Sequence, residues 1–245
     1  MKNLAKPVLL QTRYSAFTDG LKAAIPIAIG YIPIGITFGL LARSAGIPDY
    51  ITVMMSLIIF AGASQFVGIN LIALGTSFWE IILTTFILNL RHLLMSASLS
   101  QKVVPETSKG ILALLSFGIT DETFMVASFR EEDHLKPEFL AGLNLLAFSA
   151  WNVGTWIGIF LSAGLPEAVK TSMGIALYVM FIGLLVPSCR RSKATLFIAL
   201  LAMAVHGFLH YTPSITLLST GLKIVITTII TALMGAIIFP EEESA

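Results

Sequence analysis

Charge is what this sequence has least of. Only 12% of its 245 residues are Asp, Glu, Lys or Arg, about half the share of a soluble domain. With 56% of the chain hydrophobic, too few charges remain to cover a water-facing surface, which argues against a soluble globular enzyme, a disordered tail or a disulfide scaffold. Fifteen basic against fourteen acidic side chains leave a net charge of +1, without the basic face that a nucleic-acid partner requires. The lone cysteine, Cys189, excludes an internal disulfide and any multi-cysteine zinc or iron–sulfur site. Beside Arg190 and Arg191 it reads as a bystander thiol. The P-loop pattern, H-E-x-x-H, the G-x-S-x-G elbow and the G-x-G-x-x-G fingerprint are all missing, so no cofactor or metal is expected.

What is present is apolar and continuous. No charge falls between Asp49 and Glu80, between Glu138 and Glu167, or between Lys193 and Lys223, and shorter clear runs follow Lys22, Lys170 and Lys223. A spanning helix needs about 20 mostly apolar residues. No alternating in–out barrel pattern occurs. The chain therefore reads as an all-α polytopic membrane protein with seven or eight transmembrane helices. They are expected near 21–42, 50–74, 77–99, 110–129, 138–163, 168–187, 194–211 and 214–239. Residues 1–20 form an N-terminal cytoplasmic segment, 21–239 one transmembrane domain, and 240–245 an acidic tail.

The third and fourth segments carry Arg91 with His92 and Asp121 with Glu122, so either can be broken or re-entrant. Pro33 and Gly35 offer another break in the first. The first apolar stretch has spanning length and no cleavage motif, so it is not expected to be a removed signal. Alternation from a cytoplasmic N-terminus places nine basic residues inside, Arg130 and Lys136 among them, and Arg43, Lys102, Lys109 and Lys170 outside.

An internal echo links GITFGLLARSAGIPD at 35–49 to GTWIGIFLSAGLPE at 154–167. Two halves, 21–129 and 138–239, are one reading, since transporters are commonly built from repeats with the site between them. The charge count makes such a repeat parallel. Chance recurrence of Gly, Ala and Pro is the other reading.

Polar groups inside the spans carry the functional signal. Gly62-Ala63-Ser64-Gln65 permits close approach or local unwinding and brings an amide, or else it is helix–helix glue. Asn89-Leu90-Arg91-His92 puts a guanidinium at membrane depth, where it must be paired, face a wet cavity or snorkel out. Glu80, Thr84, Arg91 and Ser98 share one helical stripe, and Glu80 lies too far along it to pair with Arg91. Asp121 and Glu122, flanked by Thr120 and Thr123, suit proton coupling or ammonium binding, or sit in water beyond a short helix. His206 and His210 have the spacing of a metal pair but no third ligand. Lys223 is expected to snorkel. Trp79, Trp151 and Trp156 are interface anchors or pocket walls.

The order Gly62-Ala63-Ser64-Gln65-Phe66, Asn89-Leu90-Arg91-His92-Leu93, Thr120-Asp121-Glu122, then Trp151 with Gly154-Thr155, resembles the AzlC family over about residues 17–200. These are large subunits of bacterial branched-chain amino acid exporters. The resemblance implies a multi-pass inner-membrane exporter of valine, leucine and isoleucine, with methionine a further candidate substrate, working with a small AzlD-type subunit; we expect the export to be proton-linked. A zwitterionic substrate would then use Arg91 for its carboxylate, Asp121 or Glu122 for its ammonium or the proton, and Ser64 and Gln65 beside Gly62 and Ala63 for hydrogen bonds. Asn89 joins the binding set and His92 the proton-coupling set. Phe38, Phe66 and Phe124 are candidate wall residues. Two rival readings are a membrane subunit of an ATP-driven transporter and an intramembrane enzyme using Asp121 with another acid or His92.

Overall fold

The structure is a computed structural model that describes residues 5–132, 134–162, 164, 166, 182–183, 185–190, 192–212 and 218–240. Among the described residues it is helical, with one isolated bridge between Val103 and Leu135 in place of any strand. The helices are α1 (Ala5–Ser44), α2 (Asp49–Ile58), α3 (Gly62–Ala73), α4 (Phe78–Ser100), α5 (Lys109–Phe117), α6 (Asp121–Ser128), α7 (Pro137–Ser162), α8 (Lys193–Tyr211) and α9 (Thr220–Ile238). Five are long and apolar enough to cross a membrane: α1 over Arg13–Ser44, α4, α7, α8 and α9. The chain is an all-α polytopic membrane protein, as its charge-free runs require. The helix expected at 168–187 lies largely outside the described residues.

Two expected helices differ. α1 is continuous through Pro26 and Pro33, so the break that Pro33 and Gly35 offered is absent, and the segment read as one helix at 50–74 is two short ones, α2 with α3. Of the two segments that could be broken, 77–99 is the continuous α4, and 110–129 is broken into α5 and α6. None of the four short helices exceeds 12 residues, or about 18 Å at 1.5 Å per residue, against a hydrocarbon core of about 30 Å.

The chain divides into two compact units, residues Met1–Gln65 with Asn89–Thr171, and Phe66–Leu88 with Ser172–Ala245. In the first, α1 and α7 lie side by side and parallel, their glycines seated on each other's backbone. A Cβ added to Gly35 would stand 2.7 Å from the Trp151 carbonyl oxygen, and one on Gly154 2.5 Å from that of Ile32. A Cβ on Gly39 would collide likewise with Thr155 O, and one on Gly158 with Ile36 O. Small residues allow this approach, and in lipid, packing of this kind holds helices together. The two G-x-x-x-G stretches that echo each other in the sequence are the two halves of one seam.

Contacts within this unit fix which ends lie together. Arg13 on α1 pairs with Glu138 at the start of α7, 3.2 Å apart. The chain leaving α4 returns to that same end: Lys102 Nζ donates to Ser128 O at 2.8 Å, and Leu135 N donates to Lys102 O at 2.7 Å. α5 and α6 therefore start and finish at one end, as a hairpin that turns at half depth. At the opposite end Arg43 closes α1 and lies 3.7 Å from Asp49, which opens α2. α2 therefore enters from the end opposite to α5 and α6, and turns at Ile59–Ala61 into α3. A return in place of a crossing at α5–α6 overturns the charge alternation there. Lys102 and Lys109 lie at the end that holds Arg130 and Lys136, not across the membrane from them.

In the second unit α8 packs on α9, where Thr227 and Thr231 are buried. The Thr227 hydroxyl lies 3.4 Å from His206 Nδ1. Glu80 accepts the Gly221 N–H at 2.7 Å, satisfying an orphan donor in the first turn of α9. Lys223 is 8% exposed, so it is buried rather than extended to the interface as expected.

Candidate functional site

The two half-depth turns are built differently. Between α5 and α6 the turn is Gly118-Ile119-Thr120. Gly118 leaves room for the Asn144 side chain, whose Nδ2 donates to Leu115 O at 2.9 Å and satisfies a carbonyl at the end of α5. Thr120 then caps α6: its hydroxyl accepts from Thr123 N, and Thr123 Oγ1 accepts from Thr120 N, a closed capping box. Asp121 and Glu122 follow in the first turn, where negative charge suits the helix dipole.

Between α2 and α3 the turn is Ile59-Phe60-Ala61. Phe60 has φ +43°, and it is the single non-glycine residue with positive φ among the described residues. For a residue with a Cβ, that conformation costs about 1–2 kcal/mol. It is held by burial of the ring against Phe148 (5.1 Å between centroids), Phe117 (6.2 Å) and Tyr31 (6.4 Å). Phe117 ends α5, so the two tips meet in this aromatic cluster. Trp151 lies 5.7 Å from Tyr31 and 6.0 Å from Phe38, and its indole occupies the space a side chain at Gly62 would take.

Polar groups surround the cluster in two sets. On the α3 side Gln65 is wholly buried. Its Nε2 donates to Ser56 Oγ at 3.2 Å, Ser56 lies 2.8 Å from Thr155 Oγ1, and Thr155 donates to Trp151 O at 3.0 Å. One proton per hydroxyl fixes the direction of this chain. Thr155 spends its proton on the carbonyl, so Ser56 donates to Thr155 and accepts from Gln65. Among the described residues Gln65 Oε1 is left as a buried acceptor with no hydrogen-bond partner. Next to it, Ser64 donates to Asn89 Oδ1 at 2.5 Å.

On the α6 side Arg91 pairs with Asp121 at 2.6 Å, both about half exposed. The Tyr31 hydroxyl, on a residue 6% exposed, lies 2.6 Å from Thr120 Oγ1 and 2.5 Å from Glu122 Oε2. His92 is half-buried, within electrostatic range of Arg91 and Asp121.

The expected site residues therefore fall into two groups. Gly62, Ser64, Gln65 and Asn89 gather at the α2–α3 tip, and Ala63 shares the first turn of α3. Arg91, His92, Asp121 and Glu122 gather at the α5–α6 tip. Asn89 and Arg91, two residues apart, point about 200° apart on α4, so one reaches α3 and the other α6. Arg91 is thus not a free cation awaiting a substrate carboxylate; it already holds one. The expected stripe is only partly interior: Thr84 is fully buried and Ser98 exposed. Phe38 and Phe66 are buried, Phe124 half-buried.

Sequence reasoning passed over Tyr31, Ser56 and Phe60. Among the described residues no three His, Cys, Asp or Glu side chains cluster as metal ligands. A cavity of about 180 Å³ lies away from the tips, beside Asp19, Arg130, Lys136 and Phe139.

The AzlC protein family matches residues 26–165. The inner membrane protein YgaZ of Escherichia coli is 33% identical over 84% of this chain and 86% of its own length. A membrane protein of Archaeoglobus fulgidus is 34% identical over 80% of this chain and 87% of its own. The branched-chain amino acid transport protein AzlC of Bacillus subtilis is 32% identical over 59% of this chain and 57% of its own. No solved structure matches.

Proposed function

The chain belongs to the AzlC family of membrane transport proteins, and from that premise we propose that it exports branched-chain amino acids, valine, leucine, isoleucine and the similarly sized methionine. Export is proton-linked, proceeds across the inner membrane with a small AzlD-type subunit, and involves no covalent chemistry on the substrate. The N-terminus is cytoplasmic: Arg13, Lys22, Lys102, Lys109, Arg130 and Lys136 gather at its end of the first unit, against Arg43 at the other, the asymmetry the positive-inside rule asks of a cytoplasmic face.

The observation that carries this reading is the meeting of two half-depth turns in an aromatic cluster flanked by groups of both polarities. Broken helices present backbone N–H groups at one stump and carbonyls at the other, which is how transporters bind zwitterions near the bilayer midplane. The N-terminus of α3 at Gly62 and Ala63 takes the substrate carboxylate, with Ser64 and Asn89 beside it. Gln65 Oε1, a buried acceptor awaiting a donor, takes the ammonium. Phe60, Phe148 and Trp151 supply the apolar wall for a branched side chain. Arg91 holds α6 through Asp121, and Asp121, Glu122 and His92 form the coupling cluster. The glycine seam supports two parallel halves meeting along α1 and α7.

The test is efflux of radiolabelled valine, leucine and isoleucine, with lysine as control. Cells without their own exporters would carry this chain with and without the small-subunit gene. Branched-chain efflux that needs both genes and collapses with an uncoupler supports the reading. Efflux that survives the uncoupler and stops on ATP depletion, or no branched-chain efflux from cells holding both folded subunits, overturns it.

A further inference from the structure

Resting on the export reading, we propose that Glu122, not Asp121, carries the coupled proton, and that Tyr31 is the positioning residue that lets it do so. The two acids are adjacent in sequence and differ in their partners. Asp121 is 2.6 Å from the Arg91 guanidinium. Protonating it would leave a cation at membrane depth without its counter-ion, which is costly there. Among the described residues Glu122 has no cation within ion-pair distance; its partner is a phenol.

The hydroxyls around Tyr31 make that difference useful. A phenol has one proton and can accept as well, yet Tyr31 sits within hydrogen-bond distance of both Thr120 Oγ1 and Glu122 Oε2. With Glu122 ionised, Thr120 donates to Tyr31 and Tyr31 donates to the carboxylate. With Glu122 protonated, the carboxyl O–H donates to Tyr31 and Tyr31 donates to Thr120. The chain reverses direction, and in the protonated state the Thr120 proton turns from Tyr31 to Thr123 Oγ1, 3.4 Å away. Burial of an unsatisfied polar group is costly, so a site that must cycle between charged and neutral needs such a reversible partner. A proton taken up by the carboxylate returns to water on the other side, and no other reactant enters.

The titratable groups nearest Glu122 are Tyr31 of α1, which hydrogen-bonds it, and Asp121, its neighbour on α6. Arg91 and His92 of α4 lie beyond, on the Asp121 side. The one acid or base of α7, Glu138, stands at its far end against Arg13.

Two measurements on the full chain, reconstituted with the proposed small subunit in nanodiscs for the first and in proteoliposomes for the second, test this. The first is infrared difference spectroscopy across a pH titration, which needs no substrate. A protonated-carboxyl C=O band should appear on acidification in the wild type and in Asp121→Asn, vanish in Glu122→Gln and shift in frequency in Tyr31→Phe. A band kept in Glu122→Gln, lost in Asp121→Asn or unmoved in Tyr31→Phe overturns the assignment. The second is leucine transport in proteoliposomes. Glu122→Gln should retain leucine exchange while gradient-driven uptake falls at least tenfold, a split that simple misfolding does not produce. Gradient-driven uptake retained in Glu122→Gln refutes the proposal. A wild type that moves no leucine overturns the export reading and leaves the infrared result to judge Glu122.

Discussion

Gly39→Ala is the sharpest probe of how the first unit holds together. The added methyl would stand 2.3 Å from Thr155 O and 2.9 Å from Ile159 N, both backbone atoms of α7 that no rotamer change can move. Ordinary contact begins near 3.4 Å, so α1 and α7 must part locally by about 1.1 Å (3.4 minus 2.3). Overpacking of this kind costs about 1–3 kcal/mol. Opposing it, alanine in a helix interior gains up to about 1 kcal/mol over glycine. With a gain of about 1 against a cost of about 1–3, the net expectation is a loss of up to about 2 kcal/mol. Gly30, on the same helix, has no heavy atom within 4 Å of its added Cβ, so Gly30→Ala collects the helix gain alone. Thermal unfolding of the two variants in detergent, followed by tryptophan fluorescence, separates the effects. Gly39→Ala should melt below wild type and Gly30→Ala at or above it. The two variants melting together, or Gly39→Ala above wild type, would refute the seam.

Three further outcomes follow from single contacts. Thr155→Val removes the acceptor for Ser56 and ends the chain that orients Gln65; stability should fall by about 1–3 kcal/mol and leucine affinity with it, read by thermal shift and by leucine binding. Glu80→Ala leaves the Gly221 N–H without its carboxylate; the loss should be about 0.5–2 kcal/mol, less in Glu80→Gln, measured by the same melt. Lys102→Met removes the cation from the Ser128 carbonyl at the end of α6; about 0.3–1 kcal/mol should go, visible as faster amide exchange over 121–128 than over 140–160.

Much of the architecture was legible because lipid imposes one rule: charge-free stretches of spanning length become helices. The α6 start carried a signal that reading 110–129 as one segment passed over: Thr120 before Asp121 and Glu122 is an N-cap followed by first-turn acids. The α2–α3 break was half legible, as the local unwinding that Gly62-Ala63-Ser64-Gln65 permits; its position was not. Its turn contains neither Pro nor Gly, and Phe60 adopts a left-handed conformation only because the surrounding rings hold it there. Pro33 misled in the other direction: a proline lodged beside the glycine seam stays helical because α7 supports the chain on either side. The glycine echo was visible as a pattern, but which helix each motif would meet depends on tertiary contacts. Tyr31 carried no signal, being one aromatic in an apolar helix whose partner lies 91 residues away. Arg91 and Asp121 were both visible as charges at depth; their pairing required the α5–α6 hairpin to turn back beside α4.

The most direct test of the central claim is isotope counterflow in proteoliposomes holding the chain and its small subunit, loaded with unlabelled leucine and supplied with labelled valine, leucine, isoleucine or lysine. The account predicts exchange of the three branched substrates, none of lysine, and loss of exchange in Gln65→Leu with the protein still folded. Lysine exchanging as fast as leucine, or Gln65→Leu exchanging at the wild-type rate, would contradict it.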